Sequence, residues 1–172
     1  GIKLKSQDNN LVDAIGRGAT DGLKLAANVA AMLIAFISLV AMINFILGLL
    51  GTSMQEILGL LFKPLAWTMG IPWADAGIVG TLMGEKIVLT ELIAFRDLSD
   101  YVSNNTISER SVIIASYALC GFANFGSIGI QLGGIGSMAP KRKKDLSKLV
   151  FKAMLGGAIA SWLTASIVGI LI

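Results

Sequence analysis

From Leu25 to Gln55 the sequence carries no Asp, Glu, Lys or Arg. The run LAANVAAMLIAFISLVAMINFILGLL within it is apolar almost throughout. A helix needs about 20 residues to cross ~30 Å of hydrocarbon, so this stretch spans a bilayer with length to spare for tilt. The remainder of the chain agrees. Of 172 residues, 55% are hydrophobic and 15% charged, where a soluble domain carries roughly a quarter charged. The sequence reads as an all-α membrane protein or a piece of one. It opens at Gly1 on the polar stretch GIKLKSQDNN with no visible signal peptide, which has the look of a linker at the start of a fragment.

Composition closes several functional classes. There is no histidine and a single cysteine, Cys120. An intrachain disulfide and a Ser-His-Asp triad are therefore excluded, and the usual zinc ligand sets are not available. No nucleophile–base pair stands out, so the chain is not read as an enzyme, and no cofactor is expected. The net charge is +3, and its distribution matters more than its sum. Lys141, Arg142, Lys143, Lys144, Lys148 and Lys152 form one basic cluster. Beside an apolar segment such a cluster is a cytoplasmic juxtamembrane loop rather than a nucleic-acid surface.

The order of segments predicts an architecture. Residues 1–24 form a polar linker in which Leu11, Val12, Ile15, Ala19 and Leu23 recur at helical spacing. That stretch is either a surface helix or the start of the next one. Residues 25–51 form a spanning scaffold helix, with Asn28 and Asn44 near its ends as packing amides. Residues 54–71 read as an interfacial helix, interrupted at Lys63-Pro64, with Trp67 and Trp73 at headgroup level and a turn at Ile71-Pro72. Residues 72–103 hold two apolar pieces around Glu85 and Lys86. Each piece is about ten residues, or ~15 Å as a helix, which describes a re-entrant hairpin. Residues 108–138 form a spanning helix broken near 123–126 by CGFANFGSIGIQLGG. Residues 142–172 form a last spanning helix, with Gly156, Gly157, Ala160, Ser161, Ala165 and Gly169 as a small-residue face.

Charge bias sets the topology. The basic loop before the last helix is inside, so that helix runs outward and the C-terminus lies outside. The first spanning helix, preceded by Lys3, Lys5, Arg17 and Lys24, also runs outward. One inward crossing by the broken helix balances the two. Residues 72–103 then enter and leave on the outer side, as a hairpin does.

Ionisable groups inside membrane segments are costly and usually face a cavity. GEKIVLTELIAF, residues 84–95, contains Glu85, Lys86 and Glu91. Glu91 is the main candidate, because a carboxylate accepts from paired hydroxyls and suits a sugar diol or a cation. A structural ion pair with Arg96, or of Glu85 with a lysine, is the plainer alternative. The second candidate group is FANFGS, residues 122–127, where Asn124 and Ser127 both donate and accept while Phe122 and Phe125 flank them. Polar groups on hairpin tips and broken helices are the pattern of a secondary transporter. A structural or channel-forming membrane module is the competing reading.

GEKIVLTELIAF closely resembles the signature of the concentrative nucleoside transporters: Gly or Ala, any residue, Lys, three residues, Asn-Glu-Phe, Val-Ala, then an aromatic residue or Met. Gly84, Lys86, Glu91, Ala94 and Phe95 match, while Thr90 stands for the usual Asn and Leu92 for Phe. GFANFGSIGI resembles the family's Gly/Ser-Phe-Ala-Asn-Phe-Ser-Ser-Ile-Gly motif, with Gly126 for the first Ser. The resemblance covers essentially the whole chain as the C-terminal half of such a transporter. It implies a cation-coupled nucleoside symporter, driven by sodium or protons, assembled as a homotrimer from two inverted repeats, in the cell (inner) membrane. It further implies that Glu91, Asn124 and Ser127 bind the ribose, that Phe122 lines the pocket, and that an N-terminal half holds most of the nucleobase and coupling-ion contacts.

Overall fold

The computed structural model describes residues 10–172. Among these it contains seven α-helices, one 3-10 turn and no strand. Helix α1 spans Leu11–Gly48, 38 residues without a break. Asn10 starts it by accepting a hydrogen bond from the Asp13 amide at 2.8 Å, an N-cap that satisfies one of the free first-turn donors. The boundary drawn at residues 24/25 therefore vanishes. Residues 11–24 are the first turns of the long helix, because the helical periodicity runs through them and nothing before Leu25 ends it. The expected linker over residues 1–9 lies outside the described residues. Only Val40 of α1 is buried, and large apolar side chains such as Ile34 and Phe45 are exposed.

Helix α2, Met54–Thr68, continues through Pro64, so the predicted interruption does not occur. Proline costs the one backbone bond it would have donated to Leu60, and close packing against the next helix, α3 (Trp73–Val88), offsets it. The α2–α3 seam is made of glycines. A Cβ on Gly80 would stand 2.5 Å from the Gly59 carbonyl oxygen and 2.9 Å from the Lys63 nitrogen. One on Gly84 would stand 2.6 Å from the Gln55 carbonyl oxygen. At the far end of the seam Trp67 and Trp73 meet edge to face at 6.2 Å, and the Lys63 ammonium sits 4.6 Å over the Trp73 ring, a cation–π geometry.

Helix α3 and helix α4, Glu91–Ser103, are joined by Leu89 and Thr90 alone. The two arms have 16 and 13 residues, or about 24 and 20 Å. They are longer than the ten-residue pieces expected, and the turn falls after the charges instead of at them. Glu85 and Lys86 are good helix formers and stay in the last turn of α3. The chain breaks where Thr90 caps α4 by accepting from the Ile93 amide at 3.4 Å. The next two helices, α5 (Glu109–Leu119) and α6 (Phe125–Met138), are the halves of the broken helix. The unwound stretch, Cys120 to Asn124, overlaps the expected 123–126. Gly121 adopts φ +120° there, a conformation that favours glycine. A 3-10 turn over Pro140–Arg142 leads into α7, Lys143–Leu171. The basic cluster is thus divided: Lys141 and Arg142 lie in the turn, and Lys143, Lys144, Lys148 and Lys152 belong to the first turns of α7, close to the expected helix bounds 142–172.

Helices α1 and α6 pack through glycine as well. A Cβ on Gly129 would meet the Met32 carbonyl oxygen at 3.1 Å, and one on Gly133 the Asn28 carbonyl oxygen at 3.0 Å. The main apolar core lies between α2, α3, α4, α5 and α7, with Ala66, Leu82, Ala94, Ile114 and Ala165 at its centre. Of the small-residue face read on α7, Ser161, Ala165 and Gly169 are buried, whereas Gly156 meets nothing within 4 Å.

Polar contacts tie the open end, or root, of the α3–α4 hairpin. One carboxylate oxygen of Asp75 accepts from the Ser108 amide at 3.1 Å, the Ser108 hydroxyl at 2.6 Å and the Ser111 hydroxyl at 2.7 Å. This joins the start of α3 to the start of α5. Arg110 donates to the Gly70 carbonyl at 3.0 Å, to the Gly169 carbonyl at 2.6 Å and to that of Ile172. The root therefore lies level with the end of α7, and the tip points back toward the α5–α6 break.

Helices α1 and Pro140–Leu171 are long and apolar enough to cross a membrane. The glycine seam supplies a test. Gly80→Ala is expected to cost about 1–3 kcal/mol through overpacking, read as a lower melting temperature in detergent. Gly77→Ala, whose Cβ meets nothing within 4 Å, is expected to leave melting unchanged or slightly raised.

Candidate functional site

The hairpin tip and the break in the α5–α6 helix meet. Glu91 is the first residue of α4, where a carboxylate is favoured by the positive end of the helix. Across from it, Asn124 is the N-cap of α6 and forms a reciprocal capping box with Ser127. The Asn124 carbonyl side-chain oxygen accepts from the Ser127 amide at 2.7 Å. The Ser127 hydroxyl accepts from the Asn124 amide at 3.3 Å and donates to the Asn124 main-chain carbonyl at 2.6 Å. With its oxygen committed to the cap, Asn124 turns its NH2 outward and donates to Glu91 Oε2 at 3.2 Å.

The sequence-predicted residues thus fall into distinct positions. Glu91 and Asn124 touch directly. Ser127 lies behind Asn124 and holds it. Both Asn124 and Ser127 are buried, with 0% and 1% exposure, while Glu91 is half-buried. Phe122, in the unwound stretch, is 53% exposed; Phe125 packs into the second apolar cluster beside Ile87 and Ile128. The Asn124–Glu91 contact is long for a hydrogen bond to a charged group, which typically runs about 2.7–2.9 Å. A carboxylate held this loosely keeps lone pairs for another donor.

Among the described residues the plain ion-pair alternatives do not form. Arg96 pairs with its neighbour Asp97 at 2.7 Å, not with Glu91. Glu85 Oε2 is buried without a hydrogen-bond partner. Lys86 is fully buried, and its ammonium donates to the Ala118 carbonyl at 2.9 Å and to the Ser161 hydroxyl at 2.7 Å. Ser161 was legible only as a small packing residue, and the Asp75 and Arg110 contacts gave no local signal, since their partners are distant in sequence. Asn44 acts as a packing amide: it donates to the Gln55 side chain and accepts from the Met54 amide, both at 2.9 Å. Beside the tip lies an apolar groove of about 290 Å³ bounded by Phe36, Val40 and Asn44 of α1, by Leu89 and Thr90, and by Gly126.

Because Asn124 holds both the cap and Glu91, two substitutions separate the roles. Asn124→Ala is expected to lose about 0.5–2 kcal/mol of local stability, seen as faster amide exchange at Ser127. Asn124→Asp keeps an acceptor for that amide, so exchange at Ser127 should stay slow.

Comparison with known proteins gives a consistent answer. Residues 2–169 match the family model described as Na+ dependent nucleoside transporter C-terminus. The nucleoside permease NupC of Helicobacter pylori is 42% identical over 173 residues, covering 95% of this chain and 41% of the permease. Sodium/nucleoside cotransporter 2 of Rattus norvegicus is 42% identical over 193 residues, covering 99% of this chain and 29% of the cotransporter. An uncharacterized transporter of Bacillus subtilis, YutK, is 42% identical over 170 residues, covering 95% of this chain and 42% of its own length. The chain thus spans less than half of the relatives it matches. A doubly substituted CNTnw in an outward-facing state superimposes with a TM-score of 0.91 at 41% identity, over 97% of this chain and 44% of that one. CNTnw in an inward-facing substrate-bound state gives 0.69 at 42% identity, over 98% and 42%. These are transporters, not enzymes, and they make this an integral membrane chain. It belongs to the Na+-dependent nucleoside transporter family, matching the C-terminal part of its members.

Proposed function

We propose that this chain is the C-terminal half of a cation-coupled nucleoside symporter. It contributes the ribose-binding side of a site completed by an N-terminal half. The observation that carries the reading is the Asn124–Glu91 contact. It puts a half-buried carboxylate and an amide, from two separate elements, at the break of one helix and the tip of a hairpin. A ribose offers adjacent hydroxyls that both donate and accept. Glu91 accepts from such hydroxyls, Asn124 donates to them, Ser127 fixes Asn124 from behind, and the exposed Phe122 walls the same space.

The relatives named for nucleoside transport support the substrate class. The family description names sodium; sodium or protons remain the coupling ions of this reading, with their site mainly in the N-terminal half. Residues 72–103 act as a re-entrant hairpin entering from the outer side, a reading supported by the root contacts that bring both its ends level with the end of α7. The C-terminus is then outside, in the cell membrane, and the transporter works as a homotrimer. The higher likeness to the outward-facing than to the inward-facing neighbour supports an alternating-access cycle in which this half itself changes shape.

Glu91→Gln in the full transporter keeps size and burial but weakens acceptance from hydroxyls. Uridine uptake at subsaturating concentration is expected to fall at least tenfold, about 1.4 kcal/mol, with unchanged surface expression. Uptake near that of the unsubstituted protein would overturn the assignment of Glu91.

A further inference from the structure

The broken helix has two inner ends of opposite polarity. The end of α5 presents free carbonyls with partial negative charge, and the start of α6 presents free amides with partial positive charge. In an unbroken helix the Ala118 carbonyl would accept from the amide of residue 122. The chain leaves the helix at Leu119, with Cys120 extended, and that donor is lost. Leaving a buried carbonyl unpaired is costly, because its hydration is lost without a replacement donor. The hairpin replaces the missing donor: the Lys86 ammonium gives its hydrogen bond to Ala118. A cation at a helix C-terminus is also favoured by the dipole. On the other side of the gap, Glu91 meets the positive end of α6 through its cap, Asn124. One hairpin thus supplies both counter-charges, from either side of the Leu89–Thr90 turn.

We infer that Lys86 is a positioning residue for the nucleoside site: by joining α3 to the Ala118 carbonyl of α5 and the Ser161 hydroxyl of α7, it fixes how the unwound stretch presents Asn124 to Glu91. Its surroundings explain why it cannot wander. Lys86 is at 0% exposure, Ser161 is itself held by its own bond to the Ala158 carbonyl at 2.8 Å, and a Cβ added at Gly121 would stand 3.9 Å from Ser161 Cβ, which places the unwound stretch beside it. The ammonium therefore ties three elements at one point directly beneath the unwound stretch. It does not touch a substrate bound at Glu91; it acts through the position of residues 120–124. This inference rests on the proposed nucleoside site for its affinity readout, but its geometric content stands apart from it.

The test uses the full transporter, purified monodisperse, with two readouts. The first is uridine affinity by calorimetry. Lys86→Met is expected to weaken binding at least tenfold, Lys86→Arg to recover part of that loss, and Ser161→Ala, which leaves the Ala118 bond in place, to weaken it about threefold. The second readout needs no nucleoside: the rate of alkylation at Cys120, an exposed thiol in the unwound stretch, followed by site-resolved mass spectrometry. Because Lys86→Met also removes a cation close to Cys120, which by itself slows thiol alkylation, the rate is read on Ser161→Ala, which keeps that charge and is expected to raise it at least threefold. A purely space-filling role predicts a lower melting temperature with both the affinity of the folded protein and the Cys120 rate unchanged, and that result overturns the assignment. If Lys86→Met does not yield folded protein, Ser161→Ala carries the test, and unchanged values in both readouts overturn it. If the unsubstituted transporter binds no nucleoside, the proposed function falls, and the alkylation arm alone decides the placement of Lys86.

Discussion

The structure depends on how one interrupted helix is completed. Between Leu119 and Phe125 the helical ladder is interrupted, although the Cys120 amide still reaches back to the Ser116 carbonyl and the Ala123 amide to that of Gly121. The two exposed ends are met by side chains of opposite charge from a single hairpin. Lys86 goes to the carbonyl end, and Glu91 goes to the amide end by way of Asn124. This accounts for two of the three ionisable groups in GEKIVLTELIAF, Lys86 and Glu91, which are the electrostatic complement of the break. Glu85 is different: its Oε2 is buried without a hydrogen-bond partner among the described residues, and the group faces Asp97 and Arg96 of α4 rather than the break.

Glycine does the complementary work of bringing backbones close. At α2–α3 and α1–α6 the backbone carbonyls of Gly59, Gln55, Met32 and Asn28 are the nearest atoms to a Cβ added at Gly80, Gly84, Gly129 and Gly133, with side chains such as Leu58 and Phe36 packed beside them, as expected where lipid tails give helices little reason to associate beyond tight packing. The many exposed apolar side chains on α1 and α7 fit the same setting. In water such a surface would drive aggregation; in a bilayer it needs no covering. The small residues carry cohesion, and the few polar residues carry specificity.

What the sequence made legible followed from chemistry local to each segment. The uncharged run from Leu25 and the Gly- and Asn-containing break expected near residues 123–126 had near-neighbour signals, whereas the pairing of Glu91 with Asn124, 33 residues away, was legible only through the transporter pattern and the family resemblance. The errors came from tertiary compensation. Pro64 suggested a break, but α2, packed on the glycine seam with α3, stays helical through it. Glu85 and Lys86 suggested the hairpin turn, because charges look misplaced in an apolar helix; Lys86 is instead satisfied by Ala118 and Ser161, far away in sequence. The basic cluster is split, with Lys141 and Arg142 in the turn and the rest on the first turns of α7, close to the expected bounds 142–172. Of the two readings of the stretch before Leu25, a surface helix or the start of the next one, residues 11–24 follow the second, with Asn10 as the cap.

The Arg110 contacts at the hairpin root have a mechanical consequence. One guanidinium satisfies carbonyls at the ends of α2 and α7, and Gly169 abuts Met69 so closely that no side chain fits between them. Parting these elements would strand several acceptors at once. The opposite end of the hairpin is held to the broken helix by a single long bond from Asn124 and by one lysine. A lever anchored this unevenly pivots at its base, so any displacement of α3 and α4 is amplified where the carboxylate sits.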